Sequence, residues 1–237
     1  MMTGVAQPPT ILLLHSPFLG PSSLRPLVGE LAARGRPTVL LDLRMTVAAP
    51  PVHARLVGGF ADAVGDSGVT GPVVLLGHSG AGPLLPGFAD VLDDPVSALV
   101  FLDAGLPTPG RSWRDTVPPE LYRQLRDRSK DGLLPSWHNW FDRGLLDQLV
   151  ADDALRATIA DEAQEVPIAF LKEERPSVQW TGPAGYVELS EAYAADAARA
   201  HELGWPVREL RAHHLAAATD PAPVAVAVLD LLTELDS

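Results

Sequence analysis

The stretch that most constrains this chain is residues 71–82, GPVVLLGHSGAG, where a short apolar run leads directly into a serine among small residues. The run Val73–Leu76 begins with β-branched residues and is bounded by glycine, a pattern typical of a strand buried on both faces. Ser79 then lies between Gly77 and Gly80. Only small neighbours fit a sharp turn from strand to helix, and such a turn lifts the serine hydroxyl beyond the sheet.

Similar apolar runs alternate with segments of helical periodicity along the first hundred residues. The sequence predicts strands over Pro9–Ser16, Thr38–Leu43 and Ala98–Leu102, and helices over Leu24–Arg34, over His53–Val64 and from Ser79 to about Leu92. This alternation predicts a parallel sheet with right-handed crossovers. His15, Ser79 and Asp103 then follow the carboxyl ends of their strands, which is the edge where ligands bind in such sheets.

The second half of the chain is less regular. Residues 104–166 contain no strand-like run but have helical patches and three tryptophans, Trp113, Trp137 and Trp140. We interpret this stretch as an amphipathic lid over a pocket; the alternative is that the tryptophans only hold an insertion against the core. After it, the sequence predicts a strand over Pro167–Leu171, a long helix over Tyr186–Leu203, a last strand over Val207–Leu210 and a closing helix over Pro223–Leu235.

The motif around Ser79 resembles the nucleophile elbow of the α/β-hydrolase family, G-x-S-x-G, with Ala81 at the last position instead of glycine. The resemblance extends from Ile11 to Leu232 and is weakest in the middle of the chain. It implies an α/β-hydrolase fold: a mostly parallel central sheet flanked by helices, with a helical lid insertion. We expect the core to comprise residues 1–103 and 167–237, and the lid residues 104–166.

The resemblance also implies a catalytic histidine after the last strand, and His213 and His214 both qualify by position. The family's passage from histidine to closing helix is matched best when His214 heads it, with Pro221 seven residues later. We therefore assign His214 as the general base of Ser79, with His213 as the alternative.

The acid that would orient this histidine has two candidates. Asp103 ends a predicted strand, whereas the family more often takes its acid from the loop after the following strand, here KEERPSVQW. That loop offers Glu173 and Glu174 but no aspartate near Arg175. We prefer Asp103 and keep Glu174 as the alternative acid.

The oxyanion hole is expected to combine the backbone N–H of Gly80 with one from the loop after the first strand. Relatives often have His-Gly-x in that loop, but this chain has His15, Ser16 and Pro17, and proline has no N–H. Either the second donor moves to Phe18, or the hole is reshaped with help from the Ser16 hydroxyl.

Together, these residues predict a serine hydrolase that cleaves an ester or thioester of a small apolar or aromatic acyl substrate through an acyl-enzyme on Ser79. The alternative is a non-hydrolytic enzyme of the same fold, catalysing elimination, C–C bond cleavage or acyl transfer. A third hypothesis, a ligand-binding sensor that keeps the serine without using it, is disfavoured by the intact serine–histidine pair.

Composition excludes several other classes. The formal net charge of −12 argues against nucleic-acid binding, and the absence of cysteine excludes thiol catalysis and disulfides. No metal-ligand cluster or phosphate-binding loop is evident, so we expect no metal, no cofactor and a small-molecule substrate. The run Ile11–Leu14 is too short for a signal peptide or a membrane span, so we expect a cytoplasmic protein without a membrane partner. The sequence does not indicate an oligomeric state.

Overall fold

The computed structural model describes residues 8–141 and 144–236, which fold around a six-stranded sheet. All strand pairs are parallel, and the strands lie in the order β2-β1-β3-β4-β5-β6. The strands are β1 (Thr10–Leu14), β2 (Thr38–Leu41), β3 (Val73–His78), β4 (Val96–Leu102), β5 (Ala184–Glu188) and β6 (Val207–Glu209). The predicted parallel sheet is confirmed.

Helices cover both faces of this sheet, which explains why its strands are apolar on both sides. Successive strand residues alternate between two hydrophobic clusters: Leu12 and Leu14 belong to one, and Ile11 and Leu13 to the other. The α-helices are α1 (Arg25–Ala33), α2 (Val52–Ser67), α3 (Leu85–Ala89), α4 (Pro119–Arg128), α5 (Leu145–Leu149), α6 (Asp153–Glu162), α7 (Ala194–Glu202), α8 (Ala216–Thr219) and α9 (Pro221–Leu235). Helices α1, α8 and α9 cover the face of Ile11, and α2, α3 and α7 cover the face of Leu12.

Short 3₁₀ turns connect several of these elements. They comprise Pro21–Ser23, Arg44–Val47, Ser79–Leu84, Trp113–Asp115, Trp137–Asn139, Ile168–Lys172 and Glu191–Tyr193. The helix predicted after Ser79 thus begins as a 3₁₀ turn and becomes α-helical only at Leu85, because Pro83 and Pro86 lie in its first turns.

Two predictions in the second half of the chain are wrong. Residues 167–171 form no strand; Ile168–Lys172 is a 3₁₀ turn whose Phe170 and Leu171 are buried. The predicted long helix over 186–203 is instead β5 followed by a 3₁₀ turn and α7. A short apolar run has no diagnostic period, and whether it becomes a strand depends on the strand beside it.

Residues 104–166 contribute α4, α5, α6 and two 3₁₀ turns. The side chains of Leu125, Leu134, Val150 and Ile159 in this stretch are buried and join the same hydrophobic cluster as Leu12. Residues 1–7 and 237 of the predicted core and residues 142–143 of the predicted lid lie outside the described residues.

None of the helices built from the described residues combines the length and the apolar character that crossing a bilayer requires.

Candidate active site

Ser79 lies immediately after β3, at the first residue of the 3₁₀ turn, with a positive φ of 57°. A left-handed backbone is costly for a residue with a side chain, so the surrounding structure must hold it there. The small neighbours make this possible: a Cβ at Gly77 would lie 2.9 Å from the Leu85 side chain, and a Cβ at Gly82 would lie 2.6 Å from the carbonyl oxygen of Gly105. The packing explains why glycines flank the serine.

His214 reaches Ser79 from the loop between β6 and α8. Its Nε2 lies 3.0 Å from Ser79 Oγ, and its Nδ1 lies 2.6 Å from Asp103 Oδ2. A carboxylate only accepts hydrogen bonds, so Nδ1 carries the proton and Nε2 accepts the Ser79 hydroxyl. The structure therefore brings together the serine, the preferred histidine and the preferred acid.

Asp103 follows β4 and is completely buried, with a positive φ of 44°. Its carboxylate accepts the N–H groups of Leu189 at 2.8 Å and Ser190 at 2.9 Å, and the Ser190 hydroxyl at 2.7 Å. Burial opposes ionisation of this carboxyl, but the bonds from His214, Ser190 and Leu189 outweigh burial and hold its pKa below the usual value. The aspartate is therefore an ionised, fully hydrogen-bonded partner for the imidazole.

The alternative residues lie elsewhere. His213 Nδ1 accepts the Leu215 N–H at 3.3 Å, and its Nε2 contacts Thr219 Oγ1 at 3.2 Å. Glu174 is exposed, and its backbone forms a bridge to Ser112. Glu173 accepts the N–H groups of Val52 and His53, both at 2.9 Å, at the start of α2.

Tyr193 is a member of the site that the sequence analysis missed. Its hydroxyl lies 3.3 Å from Ser79 Oγ, and its ring is stacked on the imidazole of His214. Because Ser79 donates its own proton to Nε2, the phenol must be the donor in this contact. Burial raises the pKa of Tyr193 to about 12, so the phenol keeps its proton at neutral pH. The sequence places Tyr193 inside a predicted helix over 186–203, whereas it lies in the 3₁₀ turn between β5 and α7, so sequence reasoning did not identify it as a site residue.

His78 also packs against the imidazole. Its ring centroid lies 4.6 Å from that of His214, and its Nε2 donates to the His214 carbonyl oxygen at 3.0 Å. Burial, with the nearby His214, lowers the pKa of His78, so the ring is neutral. His78 thereby fixes the backbone of the loop that carries His214.

The loop after β1 approaches the same point. Phe18 donates its N–H to Ser16 Oγ at 3.3 Å, and a Cβ at Gly80 would lie 3.0 Å from that hydroxyl oxygen. The Ser16 hydroxyl, the Phe18 backbone and Gly80 are thus adjacent. His15 itself bonds to backbone, with Nδ1 donating to the Ser16 carbonyl at 2.9 Å and Nε2 accepting the Leu43 N–H at 3.1 Å.

Glu162 lies at the end of α6, within residues 104–166, and holds the loop that follows β1. Its carboxylate accepts the Ser22 N–H at 2.7 Å and the Ser22 hydroxyl at 2.8 Å. The Glu162 side chain, with both its Cβ and its Oε2, also occupies the space that a Cβ at Gly20 would need. The position of the loop that carries Phe18 therefore depends on a helix 140 residues away in sequence.

A cavity of about 1460 Å³ opens above Ser79. Its wall is largely apolar and aromatic, including Phe18, Trp113, Trp137, Phe170, Trp180 and Trp205. Trp140 packs instead against Phe18, at a centroid distance of 4.7 Å. Within residues 8–141 and 144–236, no three His, Cys, Asp or Glu side chains converge closely enough to hold a metal ion.

No known family model matches this chain, and no curated protein matches its sequence. Solved structures do match it over nearly the whole length. An extracellular α/β-hydrolase from a Paenibacillus species is 20% identical with a TM-score of 0.75, over 94% of this chain and 99% of that one. It is described as sharing structural and functional homology with tobacco salicylic acid binding protein 2.

Two further matches differ in the chemistry that their names indicate. Polyneuridine aldehyde esterase is 16% identical with a TM-score of 0.69, over 95% of this chain and 100% of that one. A variant of tomato methylketone synthase I, complexed with β-ketoheptanoate, is 13% identical with a TM-score of 0.67, over 96% of this chain and 98% of that one. At such identities the likeness establishes the fold: the chain has the predicted α/β-hydrolase fold.

Proposed function

We propose that this chain is a serine hydrolase that cleaves an ester or thioester through an acyl-enzyme on Ser79. The observation that carries the proposal is the hydrogen-bonded series from Asp103 through His214 to Ser79, with distances of 2.6 and 3.0 Å. Ser79 and His214 line a largely apolar cavity. A serine hydroxyl is a weak nucleophile until an adjacent base accepts its proton.

In the first half of the proposed reaction, Ser79 Oγ attacks the substrate carbonyl carbon while its proton passes to His214 Nε2. The imidazolium then gives this proton to the leaving alcohol or thiol, and Ser79 keeps the acyl group. Asp103 fixes the ring and stabilises its positive charge, because the carboxylate is ionised and accepts the Nδ1–H. In the second half, the oxygen of a water molecule attacks the acyl carbon while His214 Nε2 accepts the water proton. The bond between the acyl carbon and Ser79 Oγ then breaks, the acid product leaves, and the proton returns from Nε2 to Ser79 Oγ.

The oxyanion that forms in each half requires hydrogen-bond donors. Gly80 is the second residue of the 3₁₀ turn, and the first N–H groups of such a turn have no partner within it. We assign Gly80 N–H as one donor and Phe18 N–H as the other. Phe18 N–H now donates to Ser16 Oγ over a long 3.3 Å, so the oxyanion competes with a weak acceptor.

We further propose that residues 104–166 act as a lid. Trp113, Trp137 and Phe141 from this stretch line the cavity. The ring centroids of Trp137 and His214 are 5.7 Å apart, so a side chain of residues 104–166 packs beside the proposed general base. The apolar wall favours an apolar or aromatic substrate, and the cavity volume exceeds the roughly 300–1,000 Å³ of common small-molecule pockets.

A fluorophosphonate probe tests the role of Ser79. We expect a single covalent adduct on the Ser79 peptide by mass spectrometry, absent in Ser79→Ala and retained in Ser67→Ala, whose serine lies at the far end of α2. A folded wild-type protein that forms no adduct, or forms it on another residue, would contradict the proposal.

A second candidate is a non-hydrolytic reaction on the same groups. It is favoured by Pro17, which removes a backbone donor near the oxyanion position, and by the likeness to a methylketone synthase. Turnover in ¹⁸O-labelled water separates the two candidates. Hydrolysis places one labelled oxygen in the acid product, whereas elimination or acyl transfer to another acceptor places none there.

A further inference from the structure

The cavity above Ser79 contains a buried cation, Arg175. Its side chain lines the cavity, and the residue is only 7% exposed. Its backbone is fixed on both sides, because its N–H donates to the Arg111 carbonyl at 3.1 Å and its carbonyl accepts the Gly110 N–H at 3.2 Å. One guanidinium nitrogen, Nη1, bonds to the hydroxyl of Thr108, another residue of the cavity wall. The charged end of Arg175 therefore lies at the cavity surface.

This cation has no counter-ion among residues 8–141 and 144–236: no carboxylate oxygen there lies within 4.0 Å of its guanidinium. The nearby carboxylates have other partners. Asp196 accepts the Leu106 N–H at 3.1 Å, and Glu173 accepts two N–H groups at the start of α2. A buried charge is normally paired, because removing it from water is costly.

Arg175 nevertheless stays charged at neutral pH. Burial, reinforced by the charge of Arg111, lowers its pKa to about 10, whereas Asp115 and Asp196 act in the opposite direction. A guanidinium that is desolvated, protonated and unpaired is a site at which a planar anion gains two parallel hydrogen bonds.

His53 lies on the wall of the same cavity and offers a second polar group. It is 9% exposed, its ring packs 4.9 Å from that of Phe170, and its Nδ1 has no hydrogen-bond partner within the described part of the chain. Burial lowers the pKa of His53; Glu173 raises it, and the charge of Arg175 lowers it further. His53 therefore adds a neutral imidazole, and no second charge, to the wall of the cavity that Arg175 lines.

We propose that Arg175 binds a carboxylate of the substrate while Ser79 attacks an ester or thioester elsewhere in the same molecule. Because the rest of the wall is apolar and aromatic, the substrate class is a carboxylate-bearing ester with an apolar or aromatic body. The inference rests on the proposed function for its reaction but on Arg175 alone for its binding site.

A binding experiment tests the site without turnover. In Ser79→Ala, quenching of tryptophan fluorescence is titrated with 4-phenylbutyrate and with its neutral analogue 4-phenylbutyramide; Trp113 and Trp137 line the cavity and report binding. We expect the carboxylate to bind at least about tenfold more tightly than the amide, as for a charge-assisted bidentate contact. Equal affinities would overturn the proposal, and this comparison needs no change at Arg175.

Variants of two neighbouring arginines test whether Arg175 causes the preference for the carboxylate over the amide. In the Ser79→Ala background, Arg175→Gln should remove the preference for the carboxylate, whereas Arg111→Gln should keep it. Arg111 is a matched control because it is a neighbouring arginine that is exposed and does not line the cavity. A preference that persists in Arg175→Gln would overturn the assignment.

Kinetics connect the site to the reaction. The mono-4-nitrophenyl ester of adipate is compared with its neutral methyl-capped diester in the protein with Ser79 intact. Arg175→Gln should lower kcat/KM for the carboxylate ester about 10- to 100-fold more than for the neutral ester. Equal losses on both esters would contradict the carboxylate site while leaving the hydrolase intact. Tight carboxylate binding without ester turnover would instead contradict the hydrolase and leave the site intact.

Discussion

The ring of Tyr193 lies nearly parallel to the imidazole of His214, with centroids 5.1 Å apart and an interplanar angle of 12°. The stacking places the phenol hydroxyl 3.3 Å from the same serine oxygen that contacts the imidazole. A serine hydroxyl has one proton, so a donor on its far side leaves that proton directed at Nε2. We therefore expect Tyr193 to be a positioning residue for both partners of the proposed proton transfer.

Tyr193→Phe tests this role. The variant keeps the stacked ring and removes the donor, so we expect kcat to fall about three- to tenfold with little change in KM. Stopped-flow labelling of Ser79 by the fluorophosphonate should slow by a similar factor. Tyr122→Phe, on α4, is the control, because Tyr122 does not line the cavity. A change in thermal stability without a change in kcat would show that Tyr193 serves the fold alone.

The two candidate acids give opposite predictions. Asp103→Asn turns an acceptor into a donor facing His214 Nδ1, which forces the imidazole into the tautomer that cannot accept the Ser79 proton. We expect kcat to fall about 10³- to 10⁴-fold. Glu174→Gln, in an exposed loop, should stay within about twofold of the parent. Steady-state kinetics on one activated ester measure both, and the reverse ranking would assign the role to Glu174.

Buried histidines should make the fold sensitive to mild acid. Burial lowers the pKa of His78 and His53 below the usual histidine value of 6.5, and it also lowers the pKa of His138 and of His213. Below pH 6.5 the unfolded chain binds protons that the folded chain does not, so the free energy of unfolding falls as pH falls. For fully buried His78 the slope approaches about 1.4 kcal/mol per pH unit.

Urea denaturation between pH 7.5 and 5 measures this slope. His78→Gln should reduce it, because the variant has lost one titrating group, while groups that do not interact with His78 contribute equally to both slopes. His201→Gln, at an exposed position on α7, should leave it unchanged. Identical slopes in the parent and in His78→Gln would contradict a neutral, buried His78.

Two glycine substitutions should have opposite effects on stability. A Cβ at Gly82 would lie 2.6 Å from the Gly105 carbonyl oxygen and 2.7 Å from Ala104 Cβ, so Gly82→Ala should destabilise the protein by about 1–3 kcal/mol. Gly58, inside α2, has open space around it, so Gly58→Ala should stabilise the protein by up to about 1 kcal/mol. Chemical denaturation measures both, and a tolerated Gly82→Ala would mean that the turn after Ser79 packs loosely.

Residues 71–82 illustrate what local pattern can establish. A buried strand, small flanking residues and a serine at the turn are all consequences of short-range sterics, so they could be predicted without knowing what packs nearby. The first four strands and the helices between them followed from the same kind of pattern. Between residues 167 and 203 the pattern failed, because Ala184–Glu188 becomes a strand through its pairing with β4 and β6, which a local window does not contain. The predicted last strand and closing helix are found as β6 and α9.

The sequence by itself determined the α/β architecture, the turn that carries Ser79 and the two adjacent histidines near its end, since each depends on residues close together in the chain. Only the tertiary structure decided that His214 rather than His213 faces Ser79, that Asp103 rather than Glu174 meets its Nδ1, and that Tyr193 and Arg175 enter the same cavity. The physical reason is separation along the chain: these contacts join residues more than a hundred positions apart or on different loops, and the packing of the sheet sets their distances.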